Sequence, residues 1–328
     1  MKILVLGGSG YIGARFCELL AGTGWATPVC ASSRHAAEGV QNVRVDTTDP
    51  VAMSQAIKGM DAVINCVAGS ARAISEGARV LADAAATADV TRIVHLSSMA
   101  VYGSREGAMQ EKTRLDDSER LGWYARAKRE AEGHIAAFAK AGGTAVILRP
   151  GCVWGPGSDL WVGRIGRYLQ AGRLGDLGAA GDGWSNLVHV DDVCAAAMAA
   201  LRMPLPLGQL RTYNLAAPDS PRWNRYFVDL ALAIGATPVR RIGPLRLKMD
   251  AWVGGPPLKL AQQALVRAGR APHALPDPLP PGLLGLWQRH LQLKSDPAQR
   301  DLDLQWIPYD RGLRQSAQWY LKAQRHAG

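Results

Sequence analysis

Phenylalanine occurs three times in 328 residues and cysteine five times. No apolar run approaches the roughly 20 residues that a membrane-spanning helix needs. The cysteines (Cys17, Cys30, Cys66, Cys152, Cys194) are odd in number and scattered, with no CxxC pair and no His/Cys cluster. That pattern argues against a disulfide framework and a zinc site, and fits reduced thiols that fill space as small hydrophobes. Glutamate is absent from residues 200–328, where 18 Lys/Arg stand against 8 Asp, whereas residues 1–199 balance 20 basic against 20 acidic side chains. The whole net charge of +10 therefore sits in the last part of the chain. A basic lobe of this kind attracts an anionic substrate, acidic lipid or nucleic acid, or is simply an arginine-rich solvated surface. Nucleic-acid binding calls for basic residues interleaved with aromatics on one element, and these arginines are spread too thinly for it. The apolar start, residues 1–6, runs straight into Gly7, Gly8 and Gly10 with no small-residue cleavage site. A signal peptide is not expected, and a cytoplasmic location is.

With 48% hydrophobic and 20% charged residues, wholesale disorder is excluded and a sizeable core is available. Short apolar runs at 3–6, 27–31, 43–45, 62–65, 92–96 and 145–148 read as buried strands. Stretches 11–21, 50–57, 75–88 and 124–141 have helical spacing and lie between them. Strands without polar alternation, separated by helices, predict an α/β protein with a parallel sheet covered on both faces. Right-handed crossovers make this a doubly wound, Rossmann-type fold. After Pro150 the regularity fails. Residues 151–186 are glycine-rich; a helix is expected at 191–201, a strand at 212–215, helices at 223–234 and 245–268, a proline-rich non-helical stretch at 271–283, and a last helix at 311–325.

Three motifs carry chemistry. Gly7-Gly8-Ser9-Gly10-Tyr11-Ile12-Gly13 follows a strand and opens a helix. Its glycines allow a tight turn, backbone approach to a pyrophosphate, and close helix–strand contact, with the helix N-terminus facing the phosphates. Tyr124 and Lys128 are four apart on a helix and so share a face. A phenol is a poor base near neutral pH, and a nearby ammonium lowers its pKa; the same spacing also occurs by chance on solvated helices. Ser98 follows the strand at 92–96, at the carboxyl end where doubly wound sheets hold ligands. It reads either as a hydroxyl that orients a substrate oxygen or as a loop serine capping the backbone.

Together with Asp46, the stretch from Arg149 to Gly157 and Val188-His189-Val190-Asp191-Asp192-Val193, these motifs resemble the extended short-chain dehydrogenase/reductase family, the NAD-dependent epimerase/dehydratase group. Trp306 to Asp310, leading into Gly312-Leu313, is similar to that family's last strand and helix. The resemblance implies Tyr124 as catalytic acid/base, Lys128 as its pKa-lowering, ribose-binding partner, and Ser98 as the hydroxyl holding the reacting oxygen. His189, Asp191 and Asp192 are expected to be structural. Cofactor contacts are expected at Gly7, Ser9, Gly10, Tyr11, Ile12, Gly13, Ser32, Ser33, Arg34, Asp46, Thr47, Val67, Ala68, Tyr124, Lys128 and Pro150, and substrate contacts at Ser98, Met99, Cys152 and Trp161, with no metal. Trp154, Trp161 and Trp184 read either as an aromatic pocket wall or as core filling in a chain short of phenylalanine.

The second strand ends Ser32-Ser33-Arg34, without the acid that clamps an NAD ribose, so NADP is favoured over NAD. The expected layout is a dinucleotide-binding domain at 1–155, rejoined by 187–217 and about 300–310, a substrate lobe at 156–186 and 218–299, and a C-terminal helix at 311–328. The expected function is hydride transfer between nicotinamide and a secondary alcohol or ketone. The alternatives are a nucleotide-sugar 4-epimerase with tightly bound NAD and a catalytically inactive NADP-binding regulator. Dehydratases resemble one another in an acidic pair after the active-site hydroxyl, where Met99 and Ala100 stand here. Sugar-nucleotide epimerases show an arginine shortly before the His-Val segment, which here reads Trp184-Ser185-Asn186-Leu187-Val188-His189, and the family's asparagine after Arg-Pro is Cys152. The expected partner is a small-molecule substrate, with an anionic substrate and a homodimer both allowed.

Overall fold

The computed structural model describes residues 1–33, 39–88, 90–118, 121–267 and 275–327. The chain divides into two compact units. One comprises Met1–Gly151, Val188–Ala216 and Leu293–Trp306, the other Cys152–Leu187, Ala217–Gln292 and Ile307–Gly328. The chain leaves the first unit at residue 151, earlier than the expected 155, and rejoins it from 293, earlier than the expected 300. The last helix belongs to the second unit instead of standing apart.

The first unit is built on a seven-stranded sheet. Its strands are β1 (Lys2–Leu6), β2 (Thr27–Ser32), β3 (Gln41–Arg44), β4 (Ala62–Asn65), β5 (Arg92–Leu96), β6 (Thr144–Pro150) and β7 (Leu210–Leu215). All neighbours are parallel, in the order β7-β6-β5-β4-β1-β2-β3. Strands β1, β4, β5 and β6 read as continuous apolar runs because helices cover both faces, and Ile3, Leu4, Val63, Ile64, Ile93 and Val94 are fully buried. Burying a side chain of this size contributes about 1.5–3 kcal/mol. Helices α1 (Tyr11–Ala21), α2 (Pro50–Ala56), α3 (Ala71–Thr87) and α4 (Trp123–Lys140) follow in the first half of the chain. On one face, Leu4, Val63, Ile93 and Ile147 form a core with Met53 of α2, Leu81 of α3 and Ile135 of α4. On the other, α1 packs against α6 (Val190–Arg202). The order reverses between β1 and β4, and doubly wound sheets bind ligands at such a crevice.

The second unit holds α5 (Arg164–Gln170), α7 (Trp223–Ala233), α8 (Pro244–Met249), α9 (Gly255–Arg267), α10 (Pro281–Gln288) and α12 (Tyr309–Ala327); α11 (Asp296–Asp301) belongs to the first. Its core is aromatic. Trp223 is fully buried, with Phe227 stacked at 5.6 Å and Trp161 tilted at 5.4 Å, and Phe227 meets Trp287 edge-on at 5.1 Å. Trp154 is buried between Tyr226 and Tyr309, while Trp184 lies under the Arg222 guanidinium, 4.6 Å away. For Trp154, core filling is therefore the reading that holds.

Three expectations are corrected. The single helix at 245–268 is interrupted by a π turn, Asp250–Gly254. Pro256 and Pro257 bring no N–H, and their rings crowd the carbonyls four residues back, so the turn widens ahead of them. The stretch 271–283 is not non-helical to its end, since Pro281 opens α10 at a position where a missing N–H costs nothing. The strand expected within Trp306–Asp310 does not form, because Tyr309 already opens α12; Pro308 lacks a ladder donor, and the Tyr309 N–H that follows donates to Asp219 at 2.7 Å.

Candidate active site

The glycine loop joins β1 to α1. Gly7 has φ +73°, a left-handed conformation that favours glycine, and the Gly7 and Gly8 N–H groups both donate to Ala31 O of β2. A Cβ on Gly13 would stand 2.3 Å from Gly7 O and 2.9 Å from Gly8 Cα, both backbone, so α1 comes close to β1 only because residue 13 has no side chain. Gly10, just before α1, gives the helix no side-chain cap, and its first turn carries no acid. Its first N–H groups and the positive end of its dipole are thus open to an anion. The residues present fit a dinucleotide pyrophosphate.

A cleft of about 590 Å³ runs along this loop. Its walls include Gly7, Ser9, Gly10, Tyr11, Ile12 and Gly13, then Ser32 and Ser33 after β2, Asp46 and Thr47 after β3, and Val67 and Ala68 after β4. Arg34 lies outside the described residues. The Ser9 and Ser32 hydroxyls are 2.6 Å apart, joining the loop to the end of β2. Asp46 accepts from the Thr48 N–H and hydroxyl, both at 2.9 Å, and these bonds hold its carboxyl below the usual range. Cys66, read from sequence as space-filling, also lines the cleft, with its thiol pushed up to about 12 by burial. Ser70 was missed as well; it caps α3 and stands on the same wall. Pro150, by contrast, is buried at the end of β6 and is absent from this wall.

Ser98 follows β5 and caps the backbone, the second of the two roles read for it. Its hydroxyl accepts the Ala100 N–H at 3.2 Å, capping a short turn from Met99, and the Tyr124 phenol lies beside it. Burial raises the phenol above its ordinary value although the neighbouring Ser98 hydroxyl favours the phenolate. One helical turn on, Lys128 is buried. Its ammonium donates to Val67 O at 3.0 Å and Leu96 O at 2.6 Å, which ties α4 to the cleft wall and to β5. Burial lowers the ammonium to about 8, with Cys66 and Glu132 opposing. His95 of β5 is buried, and its two ring nitrogens meet no hydrogen-bond partner among the described residues. Burial and the Lys128 charge hold it neutral, well below its ordinary value.

One supporting group was invisible in the sequence. Arg149 of β6 makes a doubly hydrogen-bonded ion pair with Glu132 of α4, at 2.9 and 2.6 Å, both side chains 7% exposed. Arg149 also donates to the Tyr102 hydroxyl at 3.0 Å, and Tyr102 donates to Asn214 at 2.7 Å. Neither partner could be paired from spacing, since they are 17 residues apart on different elements. His189 accepts the Asp191 N–H at 3.2 Å at the start of α6, and Asp191 pairs with Arg15 at 2.7 Å. Met99 is half-buried beside Ser98, while Cys152 and Trp161 belong to the second unit. The Cys152 thiol is buried, and burial pushes its pKa up.

Comparison with known proteins agrees with this geometry. The model of the NAD dependent epimerase/dehydratase family matches residues 3–216. A 2-alkyl-3-oxoalkanoate reductase of Stenotrophomonas maltophilia (strain K279a) is 30% identical, over 80% of this chain and 89% of its own. A 4-hydroxy-2-methyl-3-oxo-4-farnesyl-3,4-dihydroquinoline-1-oxide ketoreductase of Stigmatella aurantiaca is 26% identical over 92% and 91%. The structure of UDP-glucose 4-epimerase with UDP-glucose from Thermotoga maritima superposes with a TM-score of 0.72 over 99% of this chain and 100% of its own, at 16% identity, and so shares the fold. With a doubly wound sheet, an open glycine loop at its switch point and a family match across the strands that build both, the chain belongs to the NAD-dependent epimerase/dehydratase family.

Proposed function

We propose that this protein is an NAD(P)-dependent oxidoreductase that reduces a ketone to a secondary alcohol, with Tyr124 exchanging the proton. The observation that carries the reading is the placing of Tyr124 beside Ser98 at the carboxyl end of β5, one helical turn from the buried Lys128. The bound nicotinamide supplies the hydride. Ser98, fixed by the Ala100 N–H, orients the carbonyl oxygen, and Tyr124 protonates it as charge develops there. Lys128 lies within the same polar layer and holds the Tyr124 end of α4 against Leu96 and Val67. Its third N–H is left for the cofactor ribose. The two relatives above are named for reductions of 3-oxo compounds that carry alkyl or farnesyl groups, which supports a ketone substrate with an apolar chain. NADP(H) is the proposed cofactor, because the described end of β2 presents Ser32 and Ser33 and no carboxylate to a 2′-phosphate.

Tyr124→Phe removes one hydroxyl, so turnover of a verified ketone should fall about 10²- to 10⁴-fold while NADPH affinity stays within about twofold. Near wild-type turnover would remove Tyr124 from the reaction. Denaturing the purified protein and assaying the supernatant separates this reading from an epimerase. A reductase exchanges its cofactor each turnover and releases little, whereas an epimerase that keeps NAD would release a stoichiometric amount.

A further inference from the structure

We propose that the helical rod formed by α8, the π turn and α9 docks this protein on an anionic membrane surface. The rod is apolar on two opposite faces. Inward it presents Leu247 and Ala251, both at most 1% exposed, and the buried Gly255. Outward it presents Leu245, Met249, Trp252, Val253 and Leu260, which are between 56% and 72% exposed. Their spacing of three, four and seven to eight residues places them on one stripe of a helix. A solvated helix ordinarily turns polar residues outward, and a contiguous apolar stripe on an exposed face marks an interaction surface.

Charge identifies the occupant. Arg246, Lys248, Lys259 and Arg267 are all exposed on the same rod. Its one acid, Asp250, is half-buried and held by the Arg173 guanidinium at 2.9 and 2.6 Å, so no free carboxylate offsets them. A tryptophan and leucines flanked by Lys and Arg are the composition of a helix lying in the headgroup plane of an anionic bilayer. A second copy of this chain would bring the same cations against these and be repelled. Among the described residues no helix is long and apolar enough to cross a membrane, so the attachment is peripheral.

The test is co-sedimentation of the full chain with vesicles of phosphatidylcholine alone or mixed with phosphatidylglycerol. Binding is expected to the mixed vesicles only, weakening as salt is raised. The pair Trp252→Ser, Leu260→Ser should lower the partition at least tenfold. Each of Lys248→Gln and Lys259→Gln should lower it about fivefold. Unchanged NADPH binding and thermal unfolding in the charge variants show that the fold is intact. Equal binding to both vesicle types, or none to either, overturns the proposal. So does a wild-type dimer in size-exclusion chromatography that these variants convert to monomer, since the stripe would then be covered by a second copy.

Discussion

Lys128 has three N–H donors, and backbone carbonyls take two of them. Because burial brings its ammonium down to about 8, the charged form is present below that pH and lost above it. If the proposed reduction needs the ammonium, kcat/KM falls as pH rises through about 8, since this ratio reports groups on the free enzyme. Lys128→Arg keeps its charge, and its pH–rate profile should lose that limb. A limb unmoved in the variant assigns the ionisation elsewhere. Gly13 is constrained in another way, by the backbone of Gly7 and Gly8 in the loop just before its helix. Gly13→Ala should cost about 1–3 kcal/mol through overpacking and weaken NADPH binding at the displaced loop. Chemical denaturation and NADPH fluorescence titration would show both losses together. Arg34→Ala should erase most of the preference for NADPH over NADH, about 10- to 150-fold for a charge-assisted phosphate contact of about 1.5–3 kcal/mol. Paired titrations at one ionic strength check it, and equal wild-type affinities would refute the preference.

Helix α4 sets the geometry above the sheet through a single stripe. Tyr124, Lys128 and Glu132 recur every four residues, and each meets a different part of the unit: Ser98 after β5, the Leu96 and Val67 carbonyls, and Arg149 of β6. The first two positions were legible because a four-residue interval on a helix is a local property. The third was not, because its meaning lies in a strand residue 17 positions away. Glu132→Ala leaves a buried guanidinium without its carboxylate, a change that typically costs about 3–5 kcal/mol. Denaturant unfolding should show that loss, and turnover should fall with cofactor affinity largely kept, because α4 would lose its anchor behind Tyr124. Replacing both partners together, Glu132→Leu with Arg149→Met, should restore much of the stability. If the single variant is as stable as wild type, the pair is not an anchor.

A saturating cofactor stabilises whichever state binds it. At 100-fold excess over its dissociation constant, NADPH should add about 2.7 kcal/mol and raise the melting temperature by a few degrees. Gly13→Ala should abolish most of that rise, and an equal rise in wild type and variant would place the cofactor elsewhere. Beyond the first unit, composition alone set fewer limits. The parallel sheet was readable because strands buried on both faces must be apolar throughout, and the glycine loop because its backbone path admits almost no other residue. Both are constraints on individual positions or short windows. The division of the second unit, the widening of the rod ahead of Pro256 and the enclosure of Trp154 by Tyr226 and Tyr309 depend on which distant segments meet. So do the interactions that link His95 to Lys128, Lys128 to Glu132 and Glu132 to Arg149. A side chain's charge state and hydrogen-bond partners follow from its burial and neighbours, and these come into being only when the chain has folded.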